Sequence, residues 1–141
     1  MKFLYRILFL LVMFLPVAGC DDDYSDVPYA YIDIYINPNS TEYNELNTVN
    51  GWVYLKGTSP SRGIIVCRIS QDEFMAYERT CPYDADKDNA IVEVESPLVA
   101  VDSLCGSRYI LTDGSRFDGP AKLPLKQYRT NYNGAILHIY N

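Results

Sequence analysis

Ile64-Ile65-Val66-Cys67-Arg68-Ile69 is the most strongly strand-forming run in the chain. It is rich in β-branched residues and continuous rather than alternating, which fits a strand buried on both faces. Working outward, Gly57 to Gly63 is a turn-rich loop, and Gly51 to Lys56 before it is a second strand. Further back, Tyr29, Tyr31, Asp33 and Tyr35 alternate with Ala30, Ile32, Ile34 and Ile36, a period of two with one aliphatic face. Ser40 to Leu46 fits one short helical turn, with Asn39 as its cap and Glu42 at the third helical position. On the other side, Ser70 to Glu73 fits two patterns. One is a capping box opening a helix. The other is a hairpin turn, with Phe74 to Tyr77 returning as a strand.

The second half continues in short strands. Ile91 to Glu95 and Leu98 to Val101 flank Ser96-Pro97. Tyr109 to Thr112 leads into Asp113-Gly114 and Phe117, a hairpin signal of the Asp-Gly type. Tyr128 to Thr130, Asn133-Gly134 and Ala135 to Tyr140 make a closing hairpin. Roughly eight to ten strands with no long helical period predict an all-β sandwich or barrel.

The 141 residues suffice for one domain with a real core. The first 19 read as a leader. Lys2 and Arg6 form a positive end, Ile7 to Val17 is apolar, and Val17-Ala18-Gly19 precedes Cys20. The apolar run is short for a membrane span of about 20 residues. Small residues directly before a cysteine are similar to a lipobox, in which Cys20 is lipidated and becomes the first mature residue. Residues 20–28 then form an acidic linker, and 29–141 the β domain. Losing Lys2 and Arg6 moves the net charge from −6 to −8. Such a protein has no electrostatic attraction to nucleic acid or anionic lipid, so the lipid on Cys20 is the expected membrane attachment. Asp21-Asp22-Asp23 is similar to surface-export signals of some Gram-negative lipoproteins and equally fits a plain charged linker. The expected address is the cell envelope at the outer membrane, on its periplasmic or surface side. With Cys20 used for lipid, Cys67, Cys81 and Cys105 remain. In an oxidising compartment three cysteines predict one disulfide and one thiol.

Two loops carry a family resemblance. Cys81-Pro82-Tyr83 and Cys105-Gly106-Ser107-Arg108-Tyr109, with Asp113 to Ala121, Pro124-Leu125 and Tyr128, resemble the cluster-binding loops of Rieske iron–sulfur domains. That likeness runs from Tyr29 to Asn141, strongest from Gly63 to Ile139. It implies a Rieske-type antiparallel sandwich or barrel with a small loop subdomain, and it favours the hairpin reading at Ser70. The family binds a [2Fe–2S] centre through two cysteines and two histidines, arranged as Cys-x-His and Cys-x-x-His. On that pattern Cys81 takes the first cysteine position and Tyr83 the first histidine position. Cys105 takes the second histidine position and Asp102 the second cysteine position. Tyrosine is a poor substitute for imidazole, and a carboxylate is hard where a soft thiolate is needed. The expectation is a domain that has lost its cluster. The facing loops also imply a Cys81–Cys105 disulfide in the vacated site, worth about 3 kcal/mol by chain entropy.

Three other constellations compete. Asp84, Asp86, Asp88 and Glu95 fall at positions one, three, five and twelve of an EF-hand-like calcium loop, with Asn89 in place of the glycine. Cys67, Cys81, Cys105 and His138 form a set of zinc-ligand types without knuckle spacing. His138, the one histidine, has no evident Ser-His-Asp context, and Cys81 and Cys105 have no evident base, which points away from catalysis. The sequence therefore predicts a lipid-anchored structural or binding module. An electron-transfer protein with an atypical [2Fe–2S] centre and a calcium-stabilised binding module are the alternatives.

Overall fold

The computed structural model describes residues 27–141; the leader, Cys20 and residues 21–26 of the linker lie outside it. Among the described residues ten strands form two antiparallel sheets, as the all-β reading predicts. The strands are β1 (Asp33–Ile36), β2 (Trp52–Leu55), β3 (Ile64–Arg68), β4 (Phe74–Glu78), β5 (Val92–Ser96), β6 (Val99–Asp102), β7 (Arg108–Ile110), β8 (Arg116–Asp118), β9 (Gln127–Tyr132) and β10 (Leu137–Tyr140). The larger sheet runs β1-β10-β9-β4-β3-β2, and the smaller runs β5-β6-β7-β8.

β3 explains how the two sheets stack. All five of its residues are buried. Ile64 and Val66 face one core with Ile32, Ile36, Phe74, Ala76, Tyr128, Leu137 and Ile139. Ile65 and Cys67 face a second core with Tyr77, Val92, Ala100, Tyr109 and Leu111. The smaller sheet thus covers the outer side of β2, β3 and β4, which is why β3 carries no alternation. The alternation over residues 29–36 survives intact. Tyr29, Tyr31 and Tyr35 are exposed, while Ala30, Ile32 and Ile36 are buried. Only Asp33–Ile36 pairs as a strand, with β10. Ahead of it, the Asn141 side chain holds Ile32 N and Ala30 O.

One open choice is resolved and one local detail differs. Residues 70–73 form the hairpin turn rather than a helix: Ile69 N and Ser70 N both donate to Glu73 O, and β3 pairs with β4 from Ile64↔Glu78 to Arg68↔Phe74. Residues Thr41–Asn47 make a 3-10 helix whose cap is Ser40, not Asn39, and no side chain caps it. Arg68 ties this helix to the hairpin. Its guanidinium donates to Leu46 O at 2.9 Å, to Ser70 O at 3.1 Å and to Gln71 O, and it lies over the Phe74 ring.

Beyond the smaller sheet, the same outer face of the larger sheet continues over β9, β10 and β1. Here Tyr35 stacks on His138 at 4.1 Å, and His138 on Tyr140 at 4.4 Å. His138 Nε2 lies 2.7 Å from Asp33 Oδ1. The rings face one another across the strands, so their π-faces are spent on mutual packing.

Candidate functional site

Cys81 opens the loop that follows β4, and Cys105 sits in the turn between β6 and β7. The first loop is closed by a bridge between Thr80 and Ile91 and by Cys81 N donating to Ala90 O. Arg62 pins it from outside, donating to Ala90 O at 2.9 Å and Ala85 O at 3.0 Å. The second loop is folded by its own backbone: Asp102 N donates to Ser107 O, and Gly106 N donates to Asp102 O. Asp102 adds an Asx-type bond, accepting from Leu104 N at 2.9 Å. Gly106 has φ +78°, a left-handed turn position that glycine takes at least cost.

These loops bring Cys81, Asp102 and Cys105 together, with one donor atom from each all within 4.8 Å of the others. Cys81 and Asp102 are fully buried, and Cys105 is half-buried. The two sulfurs are 3.8 Å apart, and Cys105 Sγ is 3.4 Å from Asp102 Oδ2. Around them, the Tyr109 hydroxyl lies 3.4 Å from Cys81 Sγ. Ser107 N donates to Cys105 Sγ at 3.4 Å, and Ser107 Oγ lies 3.1 Å from the same sulfur. Ser107 Oγ also accepts from Ala121 N at 3.0 Å, fixing the loop to the segment after β8. Burial pushes the Cys81 thiol up to about 12, with its hydrogen bond to Asp102 acting in the same direction. Burial also raises the Tyr109 phenol, so it stays protonated.

The expected Cys81–Cys105 disulfide is not formed in this structure. A bond needs about 2.05 Å between sulfurs, and 3.8 Å separates these two. No two of the three cysteines of the described residues lie at disulfide distance. The physical reason is local: Cys105 Sγ is already held by Ser107 and Asp102, and Cys81 Sγ by Tyr109. Proximity of the pair holds, while the covalent link does not.

Of the four positions that the Rieske resemblance marks, Cys81, Asp102 and Cys105 converge. Tyr83 is 53% exposed. A two-iron cluster needs two protein ligands on each iron, and the converging donors are two sulfurs and one carboxylate. The set does not fit that cluster. The calcium-type residues do not gather either. Asp84 pairs with Lys87, and Glu95 on β5 pairs with Arg108 of β7 at 2.6 Å. Strand formation over Val92–Ser96 carries Glu95 away from the aspartates. Nor does the Cys67, Cys81, Cys105, His138 set assemble. Cys67 Sγ lies in the second core, 3.4 Å from Leu111 O, and His138 lies on the exposed aromatic face. Burial pushes the Cys67 thiol up to about 12, which makes it an inert core residue.

Sequence reasoning gave no role to Ser107 or Tyr109. Both lie inside the second-loop motif, and their nearness to Cys105 is the available signal. A second group it missed is the buried Glu78 network. Glu78 Oε1 accepts from Arg62 N, Thr80 N and Thr80 Oγ1, and Oε2 accepts from the Tyr128 hydroxyl. No motif marks partners drawn from such distant stretches.

A scan against protein-family models returns no match for this chain, and a search of curated proteins finds no significant relative. The likeness to Rieske domains therefore rests on the residues of the two loops. Among the described residues no helix is long and apolar enough to cross a membrane.

Proposed function

We propose that the chain is a cell-envelope lipoprotein, held at the outer membrane by lipid on Cys20. Its β domain is a Rieske-like fold that has given up its two-iron cluster and acts as a structural or binding module toward an envelope partner. The observation that carries this reading is the split among the four ligand positions. Cys81, Asp102 and Cys105 have sunk into a packed joint between the loops, while Tyr83 faces solvent. The joint fastens the small sheet to the large one, as expected of a module whose stability is its function. The lipid anchor is supported by the Val17-Ala18-Gly19-Cys20 stretch, and the acidic Asp21 to Asp23 run keeps the linker solvated.

Iron and acid-labile sulfide in anaerobically purified chain test the loss of the cluster. The expected result is far below one iron per chain and no visible absorption band. Stoichiometric iron with visible bands would restore the electron-transfer alternative. Labelling with radioactive palmitate tests the anchor: wild-type chain takes up label, and Cys20→Ser does not. Label retained in Cys20→Ser removes the lipoprotein assignment.

A further inference from the structure

We infer that Cys81, Asp102 and Cys105 form a binding site for a single zinc-class divalent ion. This goes beyond the proposed function, which concerns only the lost two-iron cluster. Three observations carry it. The first is metric. A tetrahedral ion with bonds of about 2.3 Å to two sulfurs holds them about 3.8 Å apart, and the sulfurs here stand at 3.8 Å. A carboxylate oxygen at about 2.0–2.1 Å from the same ion sits about 3.5–3.6 Å from each sulfur, and Asp102 Oδ2 is 3.4 Å from Cys105 Sγ. Two of the three edges therefore match a tetrahedron, and the third, between Cys81 and Asp102, falls within the 4.8 Å that encloses all three donor atoms.

The second observation is electrostatic. Asp102 is wholly buried, and the partners that hold its carboxylate are neutral: the Leu104 amide and the Cys81 and Cys105 thiols. A buried carboxylate is costly unless a positive charge faces it. A divalent ion between Asp102 and the sulfurs supplies that charge. Loading sends the two thiol protons to solvent and leaves two thiolates, one carboxylate and the ion, a net charge of −1.

The third is the shell behind the ligands. Thiolate ligands are oriented by donors, and the Tyr109 hydroxyl at Cys81 and the Ser107 amide at Cys105 are in place. Two soft sulfurs with one oxygen suit zinc rather than calcium or magnesium. Cys105 is the half-buried member, so the fourth coordination position opens toward solvent on its side. Zinc and a Cys81–Cys105 disulfide exclude each other, since both need the same sulfurs.

The test uses purified full-length chain, reduced and metal-free, in mild detergent. It is titrated with Zn(II) by calorimetry and with Co(II) by absorption. The expected result is one equivalent bound, with thiolate-to-cobalt charge-transfer bands and the visible bands of tetrahedral cobalt. Cys105→Ser should remove the charge-transfer intensity from that sulfur. It should weaken zinc binding by more than the roughly 10–100-fold that loss of an outer-shell partner costs. Asp102→Asn should weaken binding while leaving the charge-transfer bands in place. Circular dichroism checks that each variant is folded, and Cys67→Ser, which alters a sulfur outside the cluster, serves as the control with unchanged binding. No tetrahedral cobalt spectrum, or zinc binding equal in wild type and Cys105→Ser, would overturn the site. Either result would leave the proposed function untouched, since that is read from iron and sulfide in a separate sample.

Discussion

The Tyr128 hydroxyl donates a 2.6 Å hydrogen bond to Glu78 Oε2, joining strands β9 and β4 through a carboxylate that is 1% exposed. Burial by itself would raise the Glu78 pKa. Hydrogen bonds from Ser61, Tyr128, the Arg62 amide and Thr80 outweigh it and hold the carboxyl below its ordinary 4.5. The folded state therefore prefers the ionised form. That preference stabilises the fold fully above the unfolded pKa and is lost as pH falls through the depressed folded value. Tyr128→Phe removes one charge-assisted bond and should cost about 1.5–3 kcal/mol at pH 7. Glu78→Gln should also destabilise at pH 7, and its gap to wild type should narrow as pH drops below 4.5 toward 3. Thermal melts of both variants from pH 7 to pH 3 check this. A gap that stays constant with pH would show that Glu78 is not held ionised.

Tyr77 gives the opposite expectation. It is fully buried against the Cys67 side of β3, and its hydroxyl has no hydrogen-bond partner among the described residues. Its ring lies against Gly114, whose φ of +76° and lack of a side chain admit the contact. An unpaired buried hydroxyl carries a desolvation cost of about 1–3 kcal/mol. Tyr77→Phe should therefore be neutral or stabilising, where Tyr128→Phe is clearly destabilising. Denaturant midpoints of the two variants, side by side, decide it. A loss above about 1 kcal/mol in Tyr77→Phe would mean that the hydroxyl is satisfied in solution.

Strand content was legible because its signals are local. The alternation over Tyr29 to Ile36, the unbroken β3 and the Asp113-Gly114 and Asn133-Gly134 turns each need only a few neighbouring residues. What was not legible depends on long-range pairing. β4 pairs with β9 through Ala76↔Tyr128 and Tyr77↔Gln127, across about fifty residues with no shared pattern. The choice of hairpin over helix at Ser70 follows from β3 needing a partner, which a local capping box cannot express. The cysteine pair was placed correctly by its loops. The 3.8 Å between the sulfurs was not legible, because it depends on side-chain contacts from Ser107 and Tyr109. The ion pair of Glu95 was not legible for a similar reason: its partner Arg108 stands on a strand two places away in the small sheet.

The three thiols of the domain should react in a fixed order. Thiolate is the nucleophile, so burial and a raised pKa both slow alkylation. Cys67 and Cys81 are buried with thiols pushed up to about 12. Cys105 is half-buried. Iodoacetamide on reduced, metal-free native chain at pH 8 should modify Cys105 first, with Cys67 and Cys81 protected until denaturant is added. Peptide mass mapping reads the order directly. Early labelling of Cys81 in the native state would place its sulfur outside the packed joint.

Gly119 is the residue that lets the segment after β8 close on the cysteine loop. Its φ is +87°, and a Cβ built there would meet Ser107 Cα at 2.5 Å and Gly106 O at 2.8 Å. The neighbour is backbone, so nothing flexible can step aside. An L-residue also costs roughly 1–2 kcal/mol in this left-handed conformation, before the clash is counted. Gly119→Ala should therefore destabilise the domain by about 2 kcal/mol or more, lowering the melting temperature by roughly 6–10 °C for a domain of this size. The strain falls on Ser107, whose hydroxyl joins Ala121 N to Cys105 Sγ. The same variant should thus expose Cys105, speeding its alkylation in the native state while Cys67 stays protected. Gly134→Ala is the matched control. It shares a positive φ of +91° but has nothing within 4 Å of the added Cβ. It should lose only the conformational part of the stability and leave Cys105 labelling unchanged. Equal effects of the two substitutions on Cys105 would show that the contact between Gly119 and Ser107 does not hold the loop.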